Sequence, residues 1–139
     1  MHPLFHKANE LTEQIIGAAI EVHKDKGPGL LESVYEWCMV RELALRGLTA
    51  ESQKSVVVEY KGWKREELLR FDMLVEGCVL VEVKAVEQIL PIHKAQLLSY
   101  MKLLDIPLGL LINFHEVVVT RGIARLLLPG ANVEQEITE

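Results

Sequence analysis

The feature that most constrains the fold of this chain is a pair of apolar, strand-length runs separated by a helical segment. The runs are CVLVEVKAV at residues 78–86 and LGLLINF at residues 108–114. Between them, residues 91–104 have helical apolar spacing and begin with proline, which is tolerated in the first turn of a helix. The second run is continuously apolar, as expected for a central strand covered on both faces. The sequence therefore predicts a right-handed βαβ unit.

Two helices are predicted ahead of this unit. In residues 6–26, apolar side chains recur every three to four positions and form one stripe, and the Gly and Pro of KGPGL end the helix. A second helix is predicted over residues 31–46, with Gly47 as its stop. Its buried positions are expected to be Leu31, Val34, Tyr35, Cys38 and Leu45.

A three-stranded meander is predicted to link the second helix to the βαβ unit. Its strands are expected at residues 54–60, 65–75 and 78–86, joined by glycine-containing turns. Residues 116–129 add a final strand or strand pair near an edge. The order helix, helix, three strands, helix, strand, strand indicates an α/β or α+β mixed sheet with helices packed on its faces.

Length and composition predict one cytoplasmic domain. The chain has 139 residues, of which 50% are hydrophobic and 25% charged, and this is an ordinary globular balance. The sequence has no apolar run of transmembrane length, and its N-terminus has charges where a signal peptide needs an apolar centre. No membrane association is therefore expected. Residues 130–139 are polar and are expected to fray. Cys38 and Cys78 have no metal-site spacing.

The charge distribution leaves two interpretations open. A formal net charge of −5 does not indicate a strong nucleic-acid-binding surface. An acidic cluster around a divalent metal would also lower the net charge, while the metal attracts phosphate. Five basic residues lie between the second helix and the end of the second strand: Lys54, Lys61, Lys64, Arg65 and Arg70. They form either a phosphate track or, together with neighbouring glutamates, a solvated hairpin face.

Three charged residues, Asp72, Glu82 and Lys84, interrupt the apolar strands of the meander. Glu82 and Lys84 are two residues apart on one strand, so their side chains point to the same face. Two carboxylates are hard oxygen ligands that suit Mg²⁺ or Mn²⁺, and a nearby lysine can orient or deprotonate a water or stabilise charge on a phosphorane. The pattern predicts metal-assisted phosphodiester hydrolysis. A solvated sheet face is the alternative.

The register of the hairpin between the two strands decides whether Asp72 joins this face. A two-residue turn would turn its carboxylate to the other face, since a slip of one residue flips every side chain. A three-residue turn with Gly77 in its middle pairs Val75 with Val79 and Asp72 with Glu82. We expect the three-residue turn, or a bulge that gives the same parity, and a bound cation would then offset the repulsion between the opposed carboxylates.

The stretch FDMLVEGCVLVEVKAV resembles the signature of the PD-(D/E)XK nucleases. Asp72 takes the place of the first acid, and residues 82–84 supply the E-x-K element. Phe71 stands where that signature usually has a proline. The resemblance implies a restriction-endonuclease-like core, one nuclease-like domain over residues 1–139, and a Mg²⁺- or Mn²⁺-dependent nuclease activity on DNA or RNA.

A second motif, GLLESVY, resembles the one for which the GxxExxY protein family is named. It contains Gly29, Glu32 and Tyr35, and the segments HKAQLLSYMK and GLLINF also resemble that family, which is grouped with the PD-(D/E)XK nucleases. The resemblance covers about residues 16–114. It implies that Glu32 completes the metal site and that Tyr35 supports it. The helix dipole alone would also favour a carboxylate at Glu32.

Further candidates lie on the first and third predicted helices. Gln96 and Tyr100 are four residues apart and share one helix face, with His93 one turn earlier. They are expected to contact substrate phosphate or to hold Lys84 in place, and Gln-x3-Tyr resembles the motif that follows E-x-K in exonuclease-like members of the superfamily. A solvated face with a packed tyrosine is the alternative. His23 either lines the cleft or is a buried structural histidine.

Two main functions from different classes remain open, and a phosphohydrolase that acts on nucleotides but not on polymers is a third option. In the first, the protein is a nuclease in which Asp72, Glu82 and Glu32 bind the metal and Lys84 acts on the attacking water. In the second, it is a non-catalytic nucleic-acid- or protein-binding module that keeps the nuclease-like fold, and the acidic net charge and small size favour this class. A chain of this size leaves little room for its own recognition element, so a homodimer or a protein partner is also expected.

Overall fold

The computed structural model describes residues 1–133 as an arrangement of helices on both faces of a five-stranded sheet. The elements are, in chain order, α1 (Phe5–Lys26), α2 (Glu32–Leu45), β1 (Ala50–Tyr60), β2 (Trp63–Val75), β3 (Val79–Lys84), α3 (Pro91–Leu104), β4 (Leu108–Asn113), a 3-10 helix (Val119–Gly122) and β5 (Ile123–Leu127). None of the described helices is long and apolar enough to cross a membrane.

The strands lie in the sheet in their chain order, β1-β2-β3-β4-β5. The first three strands pair antiparallel, β3 and β4 pair parallel, and β5 pairs antiparallel with β4. Helix α3 connects the two parallel strands, which confirms the predicted strand-helix-strand unit. The result is a mixed sheet of the predicted α+β class, consistent with a restriction-endonuclease-like core.

Two apolar clusters cover the two faces of the sheet. On one face, α1 and α2 pack against alternate residues of the central strands, including Val81 and Leu110. On the other face, α3 packs against the intervening residues, including Leu80 and Leu111. Every residue of β4 is buried, which explains why its sequence is continuously apolar.

Gly109 allows α3 to pack closely on the sheet. A Cβ atom at this position would lie 2.6 Å from the sulfur of Met101 and 3.1 Å from Cδ2 of Leu97. The glycine in the middle of β4 is therefore required by the approach of a neighbouring helix. Because α3 carries several of the predicted site residues, this contact also sets their distance from the strands.

The buried side of α2 differs from the predicted one. Its buried residues are Tyr35, Met39 and Leu43. Leu31 and Leu45, which were expected in the core, are 73% and 84% exposed, and Val34 is exposed as well. Because α2 carries apolar side chains on both sides, helical spacing does not reveal which side faces the sheet. The expectation for these three residues was wrong for that reason.

Strands β1 and β2 continue beyond the rest of the sheet as a two-stranded arm, which comprises residues 53–70. They pair from Gln53 and Arg70 out to Tyr60 and Trp63. Strand β3 pairs with β2 only at residues 73–75. Both arm strands begin earlier in the chain than predicted, and most of their side chains are exposed.

The polar C-terminal stretch is described only in part. Residues 134–139 of the predicted frayed tail lie outside the described residues. In the part that is described, Ala131 is buried, and its carbonyl oxygen accepts a hydrogen bond of 2.9 Å from the backbone N–H of His2.

Candidate active site

The hairpin between β2 and β3 has a three-residue turn. Val75 and Val79 are Cα partners, and the backbone N–H of Cys78 donates to the Val75 carbonyl at 3.0 Å. Glu76 and Gly77 adopt left-handed dihedrals, with φ of 52° and 68°. A glycine is favoured there because it has no Cβ to clash in this region. This pairing of Val75 with Val79 confirms the register that was predicted from the sequence.

A bulge in β2 lies next to this hairpin and affects Asp72. Leu74 pairs with Glu51 and Arg70 pairs with Gln53, so residues 71–73 are opposed by a single residue of β1. Bulges bend a strand and re-aim its side chains, and they are frequent next to active sites. The direction of the Asp72 side chain is therefore set by the bulge as well as by the hairpin register.

The carboxylates of Asp72 and Glu82 lie side by side and are each held by the other strand. The Val83 N–H donates to Oδ2 of Asp72 at 2.7 Å, and the Asp72 N–H lies 3.4 Å from Oε1 of Glu82. Each side chain thus has a second oxygen, Oδ1 or Oε2, that these contacts do not engage. Burial, and then the negative charge of Asp72, raise the pKa of Glu82 to about 7.

A cleft of about 350 Å³ opens between these strands and α3. Its lining residues are Arg70, Phe71, Asp72, Glu82, Lys84, His93, Gln96, Leu97 and Tyr100. The cleft lies at the carboxyl end of β3, where this strand runs parallel to β4. In sheets with parallel strands, ligands bind outside these carboxyl ends. One wall carries two carboxylates, and basic and hydrogen-bonding side chains surround them.

Five of the predicted site residues converge on this cleft: Asp72, Glu82, Lys84, Gln96 and Tyr100. The other three, Glu32, Tyr35 and His23, do not line it. Their positions explain what each of them does in the folded chain.

Tyr35 is fully buried beneath the loop that precedes α2. Its hydroxyl donates to the Gly27 carbonyl at 2.6 Å and accepts from the Leu30 N–H at 3.0 Å. Its ring stacks on Phe114 with a centroid distance of 4.5 Å. Gly29, in the same loop, has a φ of 96°, which favours glycine. The Gly and Tyr of the GLLESVY motif therefore fix the entry to α2.

His23, which is half-buried, packs against the same phenylalanine ring as Tyr35. Its Nε2 lies 2.8 Å from the backbone carbonyl oxygen of Glu116. Its ring also stacks on Phe114, with a centroid distance of 6.3 Å. These contacts tie the end of α1 to the segment after β4. Of the two interpretations left open by the sequence, the contacts are those of a structural histidine.

Helix α2 carries two carboxylates, Glu32 and Glu36, one turn apart, and of these Glu36 lies close to the charge of Asp72. Glu32 lies in the first turn of the helix and is exposed. Glu36 is half-buried, and burial, followed by the charges of Asp72 and Glu32, raises its pKa. Sequence reasoning did not single out Glu36. The available signal was its spacing of four residues from Glu32, which places both on one helix face.

His93 and Arg70 complete the cleft, although the sequence indicated them only as members of a helix stripe and of a basic cluster. The Leu90 N–H donates to Nδ1 of His93 at 3.0 Å, so the neutral ring carries its proton on Nε2. His93 thus helps to start α3 and adds a hydrogen-bonding group to the cleft. Arg70 adds a permanent positive charge at its edge.

Asn113 holds the chain that follows Lys84. The side chain is buried; its Nδ2 donates to the Val86 carbonyl at 2.8 Å, and its Oδ1 accepts from the Val86 N–H at 3.1 Å. The Phe114 N–H donates to the Lys84 carbonyl at 2.8 Å. These bonds fix the end of β3 against the end of β4. An asparagine at the end of an apolar run was the signal in the sequence.

The donor set of the cleft fits a hard divalent cation. Within residues 1–133, no group of three or more His, Cys, Asp or Glu side chains is arranged to hold a metal ion, so a bound cation would depend on Asp72 and Glu82. Mg²⁺ is commonly held by one or two carboxylates, with waters and substrate phosphates as its other ligands. The two carboxylates lie close together, so their negative charges repel each other. A bound cation would offset this repulsion.

Comparison with protein families gives one match that covers most of the chain. The sequence profile of the PD-(D/E)XK nuclease superfamily matches residues 9–126, from α1 into β5. Comparison with curated proteins and with solved structures gives no significant match. The matched region contains all the residues that line the cleft.

Proposed function

The chain belongs to the PD-(D/E)XK nuclease superfamily, and from this premise we propose that it is a Mg²⁺- or Mn²⁺-dependent nuclease that hydrolyses phosphodiester bonds of DNA or RNA. The observation that carries the proposal is the convergence of Asp72, Glu82 and Lys84 on one cleft. Within the superfamily, the motif of Gly29, Glu32 and Tyr35 supports placement in the GxxExxY family.

Asp72 and Glu82 would hold the cation through the oxygens that their backbone contacts leave available. When bound there, the cation supplies polarisation of a phosphoryl oxygen and increases the acidity of a water. The acids themselves contribute rigidity, because the Val83 N–H fixes Asp72 at 2.7 Å. A site built on strands keeps its geometry better than one built on loops.

Lys84 lies two residues after Glu82 and lines the same cleft. Its ammonium group would orient the attacking water or donate a hydrogen bond to the negative charge that develops on the phosphorane. Donors from α3, including Gln96 and Tyr100, would hold the non-bridging phosphate oxygens. Arg70 would attract the polyanionic substrate to the edge of the cleft.

The two carboxylates of α2 have a supporting role in this proposal. Glu36 faces the charge of Asp72. It would therefore position Asp72 or a water bound beside it. Glu32 lies one turn earlier on α2 and does not line the cleft, so its proposed part in the metal site would act through its negative charge beside Glu36.

A non-catalytic binding module is the second candidate function. The observation that favours it is the net charge of −5, which is unusual for a protein that must attract a polyanion by itself. A homodimer or a protein partner would then supply the recognition surface. These partners, the cytoplasmic location and the single-domain organisation all stay predictions.

Cleavage assays test the proposed function. Purified protein should cleave at least one of single-stranded DNA, double-stranded DNA and RNA in the presence of Mg²⁺ or Mn²⁺. Asp72→Asn, Glu82→Gln and Lys84→Ala should each lower the rate by about 10²-fold or more. The controls Glu10→Gln on α1 and Lys102→Ala on α3 change exposed charges outside the cleft and should leave the rate unchanged. The nuclease proposal fails if no polymer is cleaved, or if Asp72→Asn and Lys84→Ala keep full activity.

Calorimetric titration with Mn²⁺ separates the two candidate functions. The nuclease proposal predicts saturable binding that is lost in Glu82→Gln and retained in Glu10→Gln. A binding module that does not use the metal predicts no saturable heat in any of these proteins.

A further inference from the structure

Two large aromatic side chains lie at the tip of the arm, far from the apolar core. Tyr60 and Trp63 are Cα partners at the last pair before the turn, and they are 67% and 75% exposed. The ammonium of Lys61 lies 5.3 Å from the centre of the Tyr60 ring. Single exposed apolar residues are ordinary, but an opposed aromatic pair with an adjacent cation forms a flat surface on which a planar group can stack.

This aromatic pair lies on the same face of the arm as the cleft. Val56 of β1 and Leu69 of β2 pack against the α3-side cluster, which also contains the cleft residue Phe71. Side chains two, four and six residues along a strand share a face, and directly paired residues share it too. The pairing from Gln53 to Tyr60 runs without a register shift. Tyr60 and Trp63 therefore continue the surface that begins at the cleft.

The arm is a basic region in an acidic chain. Residues 53–70 contain five basic and three acidic side chains, a net charge of +2, whereas the whole chain has −5. Lys54 and Arg65 share the aromatic face, and Arg70 lines the cleft. Arg65 also pairs with Glu67, with its Nε 2.5 Å from Oε1. The positive charges thus run from the tip of the arm to the site.

The separation of the tip and the cleft suits a polymeric ligand. Trp63 and Asp72 are nine residues apart on β2, a span of roughly 30 Å at ~3.3 Å per residue, slightly shortened by the bulge. This span corresponds to about nine nucleotides of a strand stacked at ~3.4 Å. A mononucleotide in the cleft would not reach the aromatic pair, whereas an oligonucleotide would.

We propose that the arm is a binding site for single-stranded nucleic acid, in which unpaired bases stack on Tyr60 and Trp63 while Lys54 and Arg65 contact the backbone. The proposal rests on the proposed function, since the strand would extend from the cleft where it is cleaved. Unpaired bases are favoured over a duplex because only they expose a π-face to an open aromatic surface. Charge complementarity selects a polyanion over a second copy of this acidic chain.

Fluorescence of Trp63 provides a direct test. The chain has two tryptophans, so Trp37→Phe leaves Trp63 as the single reporter. Titration with a twelve-nucleotide oligothymidylate in EDTA, which prevents cleavage, should quench this emission in a saturable way. A blunt duplex of equal length should give much weaker quenching.

Anisotropy of a fluorescein-labelled oligothymidylate measures the affinity in the variants. Trp63→Ala and Tyr60→Ala should each raise Kd about tenfold. Lys54→Ala should lower the slope of log Kd against log salt by about 0.7. The matched control is Leu68→Ala, which removes an exposed apolar side chain from the opposite face of the arm and should leave Kd unchanged.

Each outcome separates this inference from the nuclease proposal. Oligonucleotide binding without cleavage by any metal-loaded protein would support the arm site and overturn the nuclease. Rates of cleavage can be compared for a dodecamer, which reaches the arm, and a dinucleotide, which does not. If Trp63→Ala lowers both rates by the same factor, the arm site is overturned and the nuclease proposal is not. A third outcome is self-association. Without oligonucleotide, the emission of Trp63 would then change with protein concentration, and the hydrodynamic radius would be larger than in Trp63→Ala. These two results together would identify a surface for self-association and would also overturn the arm site.

Discussion

The Asp72 carboxylate accepts a hydrogen bond of 2.7 Å from the backbone N–H of Val83, the residue between the glutamate and the lysine of the E-x-K element. The first acid of the site is thereby tied to the strand that carries the second acid. The contact follows from the three-residue turn, because the register that pairs Val75 with Val79 and Met73 with Val81 continues to Asp72 opposite Glu82. The two acids are thereby held side by side, and burial together with the charge of Asp72 raises the pKa of Glu82 to about 7.

The stability of the metal-free protein should fall as the pH rises from about 4.5 to about 7. Glu82 keeps its proton up to about pH 7 in the folded state but ionises near 4.5 when the chain unfolds. Between these values the folded state binds more protons, so the stabilisation present at low pH is lost as the pH rises through 7. The loss attributable to Glu82 should be on the order of 3 kcal/mol, which urea denaturation at a series of pH values would measure.

Glu82→Gln isolates this contribution, because the raised pKa of Glu36 adds a fall of the same sign. The free energy of unfolding of the variant should depend less on pH than that of the native chain. At pH 8 the variant should be the more stable of the two proteins. Saturating Mg²⁺ at pH 8 should stabilise the native chain but not the variant. Parallel pH profiles for the two proteins would contradict the assignment of the shift to Glu82.

Tyr35→Phe should lower the free energy of unfolding by about 1–2 kcal/mol. The change removes both hydrogen bonds of the hydroxyl, to Gly27 and Leu30, and keeps the stacked ring on Phe114. Denaturant unfolding is the measurement. Tyr60→Phe, at the exposed tip of the arm, is the matched control and should change nothing. Equal stability of all three proteins would show that the loop before α2 does not need this anchor.

Gly109→Ala should destabilise the protein by about 1–3 kcal/mol, because the new methyl group would overlap the sulfur of Met101. In the double variant with Met101→Ala, the total loss should be smaller than the sum of the single losses. Gly17→Ala is the matched control. Its Cβ would meet only the movable guanidinium of Arg46 at 2.9 Å, and alanine in a helix should stabilise by up to about 1 kcal/mol. Additive losses at Gly109 and Met101 would contradict close packing of α3.

Much of the fold was predictable because it follows from local rules. The bounds of α3, the buried strand β4 and the pairing of Val75 with Val79 agree with the expectations from helical spacing, apolar run length and the position of Gly77. Four of the five predicted cleft residues also follow from local spacing, two residues along a strand or four along a helix, and Asp72 follows from the register of the hairpin turn. These signals act within one element or one turn, so a sequence contains them in full.

Other features required the folded chain. The exposed side of α2, the coupling of Glu36 to Asp72 and the clamp of Asn113 on the chain after Lys84 each join segments distant in sequence. An apolar residue on either side of α2 satisfies the same helical period, and only packing against the sheet selects one side.

The amino-acid sequence by itself therefore determined the main helices and strands, their order, and the three charged residues Asp72, Glu82 and Lys84. The tertiary structure alone decided which predicted residues stay outside the cleft, which further side chains line it and which side of α2 is buried, because burial and Coulomb interactions depend on distances in space and not on spacing along the chain.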